Sequence, residues 1–355
     1  PITLARPLKR AVLGMGARLK NTIALGYDST VVISPHVGDL ETPEAVAGLE
    51  TVADCFPAFL ERTPSAVAVD LNPDMHSSIL GRKLAARWRV PVVEVQHHHA
   101  HIVSCMAENM LSGPVIGLSF DGTGYGDDGN LWGGEFFVCD ESGYERVGHF
   151  KYFRLLGGEK AIKEPRRVAL SFLFELYGEG VLSLHNHTTA SFAQSELKVL
   201  YQAWQKGLNS PLSSSCGRLF DGVASILDII HVCSYEGESG LLLESLYDEN
   251  IKDFYEFSIL EKQIDFSVIF YQILKEENRT IAVSKFFNTL VEIIYEMSKK
   301  YDLPLVLGGG VFQNRVLLRL IMKKIPEVIV PSGFVSNDSA ISYGQASAAL
   351  KLKTL

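Results

Sequence analysis

Four histidines fall within five positions in Gln96-His-His-His-Ala-His101. On a helix that starts near Gln96, His97 and His101 lie one turn apart on one face, so two imidazoles can converge on one metal ion. A polar helix start with solvated histidines has the same spacing, and His98 and His99 point elsewhere in either case. Asp121-Gly-Thr-Gly-Tyr-Gly126 places a carboxylate at the end of an apolar strand. Gly122, Thr123 and Gly124 then offer backbone N–H groups to an anion. A tight hairpin is the alternative, against which Asp127 and Asp128 add more acid than a turn requires. Gly308-Gly-Gly-Val-Phe-Gln-Asn314 lies between a strand and a helix. There Gly308, Gly309 and Gly310 could admit a planar or anionic group at the helix N-terminus, with Asn314 as a polar contact, or could serve close strand-to-helix packing. Asp338 either caps a helix or joins His97 and His101 as a metal ligand. Asp221 opens an apolar helix, where it could cap or hold a ribose hydroxyl. Tyr235-Glu-Gly-Glu-Ser239, with Gly237 at its centre, is a polar turn without evident structural need. Lys20, at the first glycine turn, either touches a phosphate or carbonyl or is solvated.

These residues must be held by an alternation of strands and helices. Ala11–Gly16, Asn21–Leu25 and Thr30–Ile33 read as strands around a glycine turn, and residues 114 to 150 repeat that grammar with strands at Pro114–Phe120, Leu131–Val138 and Tyr144–Phe150. Two such meanders suggest a duplicated lobe. Between them, helix at Thr42–Arg62, strand at Ser65–Asp70, helix at Ser77–Trp88 and strand at Val90–Val95 give α/β alternation. From about Lys163 to Lys300 the pattern is mainly helical, at Arg167–Tyr177, Ser191–Leu208, Leu219–Ile230 and Ile281–Lys300, with a β-rich gap near Phe254–Phe266. A strand at Leu303–Leu307, a helix at Gln313–Lys324, a strand at Val328–Val330 and a small-residue helix at Ser339–Leu350 close the chain.

At 355 residues, 47% hydrophobic and 21% charged, the chain has the composition of a globular protein with room for two lobes. No apolar run reaches a membrane span and Pro1-Ile-Thr-Leu-Ala-Arg is not a signal peptide, so a cytoplasmic location is expected. The absent initiator Met suggests a processed chain or a piece of a longer one. Cys55, Cys105, Cys139, Cys216 and Cys233 form no Cys-x-x-Cys pair, so any metal would use histidine and carboxylate. A formal charge of -8 gives no broad basic field for nucleic acid, although Arg166-Arg167 could meet a phosphate locally.

Taken together, Gly14 to Asn21, Gln96-His-His-His-Ala-His101, Asp121-Gly-Thr-Gly, Glu164-Pro165 with Arg167, Ser214-Ser-Cys-Gly-Arg-Leu-Phe-Asp221, Tyr235-Glu-Gly and the triple-glycine stretch to Asn314 resemble the C-terminal domain of the HypF family. These are the carbamoyltransferases of nickel–iron hydrogenase maturation. The resemblance covers nearly the whole chain and implies a two-lobed α/β fold of the actin/Hsp70 class, with duplicated mixed-sheet lobes. Residues 1–110 would form the first lobe and 111–355 the second, the latter carrying a mainly helical insertion at about 160–300.

The resemblance further implies His97, His101, Asp121 and Asp338 as ligands of a divalent metal, iron or zinc. It places Gly122, Thr123, Gly124, Asp221, Gly237, Gly308, Gly309, Gly310 and Asn314 around an adenine nucleotide, as ATP, AMP or carbamoyl-adenylate with or without Mg, and Lys20 and Asp121 in catalysis. Asp70-Leu-Asn-Pro-Asp-Met75 departs from the family's Asp-Leu-His-Pro-Asp-Tyr, so no catalysis is assigned to that turn. The YrdC-like domain that makes carbamoyl-adenylate, with the acylphosphatase-like and zinc-finger parts, lies outside this sequence. The implied reaction is carbamoyl transfer from carbamoyl-adenylate to the C-terminal cysteine of HypE, releasing AMP, on the route to the hydrogenase cyanide ligand. Two other readings keep the fold: an O-carbamoyltransferase acting on a small-molecule hydroxyl, and a nucleotide-gated scaffold, which would need no imidazole pair.

Overall fold

A computed structural model describes residues 1–349 and shows two mixed sheets with helices packed between them. In the first, β1 (Ile2–Gly14) pairs antiparallel with β2 (Ala24–Ile33), and β3 (Ala66–Asp70) and β4 (Val92–Val95) add in parallel on the other flank, in the order β2-β1-β3-β4. The period of two sorts side chains to the two faces. Leu13, Val67 and Val69 meet Leu49, Ala53, Leu80 and Leu84 of the helices Pro43–Phe59 and His76–Trp88. Val12, Ala66 and Ala68 meet Ala100, Val103, Ile341 and Ala348 of the helices His97–Glu108 and Ile341–Ala348. With both faces covered, β3 is buried throughout.

The second sheet repeats the plan. β5 (Val115–Tyr125), β6 (Leu131–Asp140) and β7 (Gly143–Phe150) form an antiparallel meander, and the strand Leu305–Gly308 runs parallel to β5 on its free flank. Each sheet therefore opens on a strand with an antiparallel partner on one side and a parallel one on the other. This is the duplicated, two-lobed α/β arrangement expected of the actin/Hsp70 class. The His97–Glu108 helix belongs to both cores, because Ile102, Cys105 and Met106 on its far side pack on Val115, Phe137 and Val306 of the second sheet. It crosses the Ile341–Ala348 helix so closely that a Cβ on Gly344 would stand 2.0 Å from the Ala100 carbonyl oxygen. The last described helix thus packs against the first sheet. Phe120, Phe136 and Phe150 of the second sheet are buried in one cluster with Phe172, Phe266, Phe270 and Phe286 of the helices between β7 and Leu305.

Several expected elements take different bounds. The strands expected at Asn21–Leu25 and Thr30–Ile33 are one strand, Ala24–Ile33, so the first meander is a hairpin. Asn21 closes the preceding turn instead, its Nδ2 donating to the carbonyls of Met15 (3.0 Å) and Ala17 (2.7 Å). The expected strand at Val328–Val330 reduces to a single bridge between Ile329 and Val306. The β-rich gap is a short hairpin of Ile259–Leu260 and Gln263–Ile264. The helix expected from Gln313 begins at Arg315 after a 3-10 turn, and the expected helix end at Leu350 lies outside the described residues. Among the described residues no helix is long and apolar enough to cross a membrane.

Candidate functional site

β4 delivers the chain to Gln96, whose side-chain oxygen accepts the His99 N–H (2.9 Å) and so caps the helix His97–Glu108. Its Nε2 donates to the Tyr125 carbonyl (3.0 Å), tying the helix start to the end of β5. The histidines are buried rather than solvated: His97 is 2% exposed and His98 0%. His97 and His101 stand one turn apart with ring centroids 4.9 Å from each other. His99 is held away by the Asp140 carbonyl, 2.7 Å from its Nε2, and His98 leans toward Gly124 and Trp132.

Two carboxylates face the imidazole pair from the second sheet and the C-terminal segment. Asp121 Oδ2 lies 3.1 Å from His101 Nε2 and 3.4 Å from His97 Nε2, and Asp338 Oδ1 lies 3.6 Å from each. One donor atom from each of the four residues fits within 4.8 Å. Asp121 is turned by its other oxygen, which accepts the N–H groups of Gly122 (2.8 Å) and Gly310 (3.2 Å). Asp338 is free to face the cluster because Asn337 does the capping, its Oδ1 accepting the Ser339 N–H at 3.0 Å.

Burial works against charge on every member, and mutual contact outweighs it. Burial would lower the His97 pKa, but Asp121, Asp338 and Asp70 hold it well above its ordinary value, and Asp121 and Asp338 likewise raise His101. Burial would raise Asp121, but His101 and His97 hold it well below the usual carboxylate range.

These residues fit a divalent ion. Two imidazole nitrogens and two carboxylate oxygens suit iron or zinc, and His97 Nε2 is buried with no hydrogen-bond partner of its own. Its other nitrogen, Nδ1, is 2.9 Å from Asp70 Oδ2, both side chains being almost wholly buried. A proton on Nδ1 shared with Asp70 leaves the Nε2 lone pair for a metal. Asp70 is the residue sequence reasoning set aside with its turn. Its signal was a carboxylate ending a fully apolar strand, where an unpaired charge would be costly.

Beside the cluster lies a cavity of about 410 Å³ whose wall includes Asp121, Gly122, Asp221, Gly237, Gly310, Asn314, Asp338 and, from the first lobe, Lys20. Four of the residues expected at a nucleotide do not line it. Gly308 and Gly309 serve close packing: a Cβ on Gly308 would stand 2.9 Å from the His101 backbone, and one on Gly309 (φ +97) would stand 2.3 Å from the Phe120 carbonyl oxygen. Gly124 makes room for His98, whose Cε1 would be 2.5 Å from a Cβ there, and Thr123 is carried along β5 outside the wall. Asn314 lines the cavity with its side chain already engaged, Oδ1 accepting the Leu317 N–H (2.9 Å) and Nδ2 donating to the Gly240 carbonyl (3.1 Å). Lys20 pairs across the cleft with Glu236, which keeps its amine above the ordinary value although burial pulls it down.

Two other candidates are occupied elsewhere. Asp127 accepts from the Tyr144 hydroxyl, and Asp128 from Trp132 Nε1 (2.9 Å), so this acidic pair braces the β5–β6 turn. Arg166 and Arg167 converge on Glu164 at 3.0 and 2.9 Å and form an ion-pair cluster rather than an open phosphate site. Of the cysteines, Cys105, Cys139 and Cys216 are buried, and burial pushes the Cys139 thiol up to about 12. They are structural groups rather than nucleophiles.

Comparison with known proteins adds the following. The profile of a family described as "HypF Kae1-like domain" matches residues 7–108, and one described as "Carbamoyltransferase, Kae1-like Domain, second subdomain" matches residues 117–345. The chain is 33% identical over 379 residues to the carbamoyltransferase HypF of Synechocystis sp., covering 99% of this chain and 49% of that protein. It is 31% identical over 365 residues to a carbamoyltransferase HypF homolog of Cupriavidus necator, covering 97% of this chain and 92% of that protein. It superposes with a TM-score of 0.93 and 35% identity on a crystal structure described as full-length HypF in the phosphate- and nucleotide-bound form, covering 100% of this chain and 48% of that one. The chain thus spans about half the length of the full-length relatives and nearly all of the shorter homolog.

Proposed function

Because the chain belongs to the HypF family of carbamoyltransferases, we propose that it carries out carbamoyl transfer from carbamoyl-adenylate to a thiol, releasing AMP. The observation that carries this reading is the convergence of His97, His101, Asp121 and Asp338 beside a cavity large enough for an adenylate. A HypF crystal structure that holds phosphate and nucleotide supports the same ligand class.

In this reading 1–110 and 111–355 are the two lobes, with the Ile341–Ala348 helix returning to the first sheet. The adenosine occupies the cavity between Gly237 and Gly310, and the phosphoanhydride faces Asp121 and Asp338. His97, His101, Asp121 and Asp338 would hold a divalent metal, which would supply Lewis-acid stabilisation of charge developing on oxygen. The chain's residues orient the acyl carbon. Gly122 and Gly310 fix the Asp121 carboxylate, Asp70 fixes His97, and Lys20 lines the cleft paired with Glu236. The thiolate sulfur of the acceptor attacks the carbamoyl carbon, a C–S bond forms, and the C–O bond to phosphate breaks with its electron pair leaving on AMP. The resemblance names the acceptor as the C-terminal cysteine of HypE and the adenylate source as a YrdC-like domain. No thiol of this chain is needed.

The test is mass spectrometry of the HypE C-terminal peptide after incubation with carbamoyl-adenylate and the metal-loaded chain. A gain of one carbamoyl group on the terminal cysteine is expected, with none for the His97→Ala/His101→Ala variant. No gain with folded, metal-loaded protein rejects the thiol acceptor and turns attention to a small-molecule hydroxyl.

A further inference from the structure

The cavity wall carries five carboxylates, Asp121, Asp221, Glu236, Glu244 and Asp338, but two cations, Lys20 and Arg218. An anionic ligand needs a positive group that is held in place and not already spent. Lys20 reaches the cavity from the first lobe and is committed to Glu236. Arg218 is 7% exposed, and its backbone is registered to the strand that bears Asp121. Ser215 Oγ accepts the Arg218 N–H (3.1 Å) and lies 2.9 Å from the Asp121 carbonyl oxygen, to which it donates. One edge of the guanidinium is occupied. Nη1 donates to the Ile162 carbonyl (3.2 Å) and stands 2.6 Å from Asp221 Oδ2. The rest of the fork is not: Nε is buried without a partner, and Nη2 lies over Gly122, 3.4 Å from where a Cβ would be. A buried guanidinium with unfilled donors is costly unless the working state supplies an acceptor. Glycine at 122 keeps the approach to Nη2 clear, one residue from Asp121.

We propose that Arg218 is the phosphate-holding residue of the cavity, presenting Nη2 to the phosphate oxygens of an adenylate, and that Asp221 braces the guanidinium. The assignment rests on the adenylate reading above. It gives the ligand a polarity, with adenosine toward Gly237 and phosphate between Arg218 and Asp121. Arginine suits this task because its planar fork can pair with a carboxylate on one edge and a phosphate on another.

Isothermal titration of the zinc-loaded full chain with adenosine and with AMP separates the possibilities. The parent binds AMP more tightly than adenosine. Arg218→Gln weakens AMP about tenfold to a hundredfold while adenosine stays within about twofold, as loss of a charge-assisted hydrogen bond predicts. Arg218→Lys, which keeps charge and most of the volume, falls between and guards against a folding defect in the first variant, which circular dichroism also checks. Asp221→Asn follows the same pattern at smaller amplitude. Equal loss for both ligands, or no loss for either, in folded Arg218→Gln overturns the phosphate role. Equal loss for both in Asp221→Asn overturns the brace. A parent chain that binds neither ligand refutes the adenylate reading itself, an outcome distinct from the other two.

Discussion

Asp70→Ala should weaken metal binding without unfolding the protein. Asp70 Oδ2 is 2.9 Å from His97 Nδ1, and the two side chains are 1% and 3% exposed. A hydrogen bond to a charged group in such surroundings is worth about 1.5–3 kcal/mol, and removing the partner behind a metal-ligating histidine typically costs about tenfold to a hundredfold in affinity, or about 1.4–2.7 kcal/mol. The two routes agree on the size. The mechanism is specific: without the carboxylate, the Nδ1–H tautomer loses its acceptor and the ring is free to place its proton on Nε2, where it blocks coordination. Asp70→Asn keeps an acceptor oxygen but loses the charge, so it should fall within about a few-fold of the parent. The loss in Asp70→Ala is measured by competing the chain against a chromophoric zinc chelator, with 15N-detected NMR reporting the His97 tautomer. Parent-like zinc affinity in folded Asp70→Ala would refute the reasoning, as would an unchanged tautomer.

Gly309→Ala should cost at least about 3 kcal/mol in urea denaturation, because the added Cβ meets the Phe120 carbonyl oxygen at 2.3 Å and the backbone is at φ +97. Gly129→Ala, at φ +77 with nothing within 4 Å, should cost about 1 kcal/mol, so equal losses would contradict the packing argument. Glu164 is partly buried, which raises its pKa, but Arg167 and Arg166 more than offset this and hold it below the ordinary 4.5. A depressed carboxylate stabilises the fold above its unfolded pKa and loses that contribution as pH falls through the folded one. Glu164→Gln should therefore destabilise by about 1 kcal/mol at pH 7, the cluster being partly solvated, and its deficit should shrink as pH drops below 4.5. A pH-independent deficit would rule this out.

The parts of the site that share one element were legible in the sequence. His97 and His101 meet because helical spacing puts them a turn apart; Asp121, expected where the apolar run Val115 to Phe120 stops, instead lies within β5, which shifts register after Phe120 and continues to Tyr125. The repeated strand grammar likewise led to the duplicated sheets. The triple glycine was read as one ligand loop, yet it divides: Gly308 and Gly309 face a helix and a strand, and Gly310 faces the cavity. Glycine requirements from packing and from ligand approach look the same in one dimension, since each is an absent side chain.

What the sequence alone determined was local: the helix face, the alternation that buries β3, and the choice of imidazole and carboxylate as donors. What only the tertiary structure decided was convergence. Asp338 joins Asp121 because the last described helix returns between the sheets, leaving capping to Asn337. Asp70 reaches His97 because β3 and β4 are parallel neighbours, so the end of one strand lies beside the helix that follows the other. Arg218 enters the cavity wall because Ser215 anchors its helix to β5 at Asp121. The physical reason is that spacing along a chain sets directions within an element, whereas a metal or phosphate site needs distances between elements, and packing sets those.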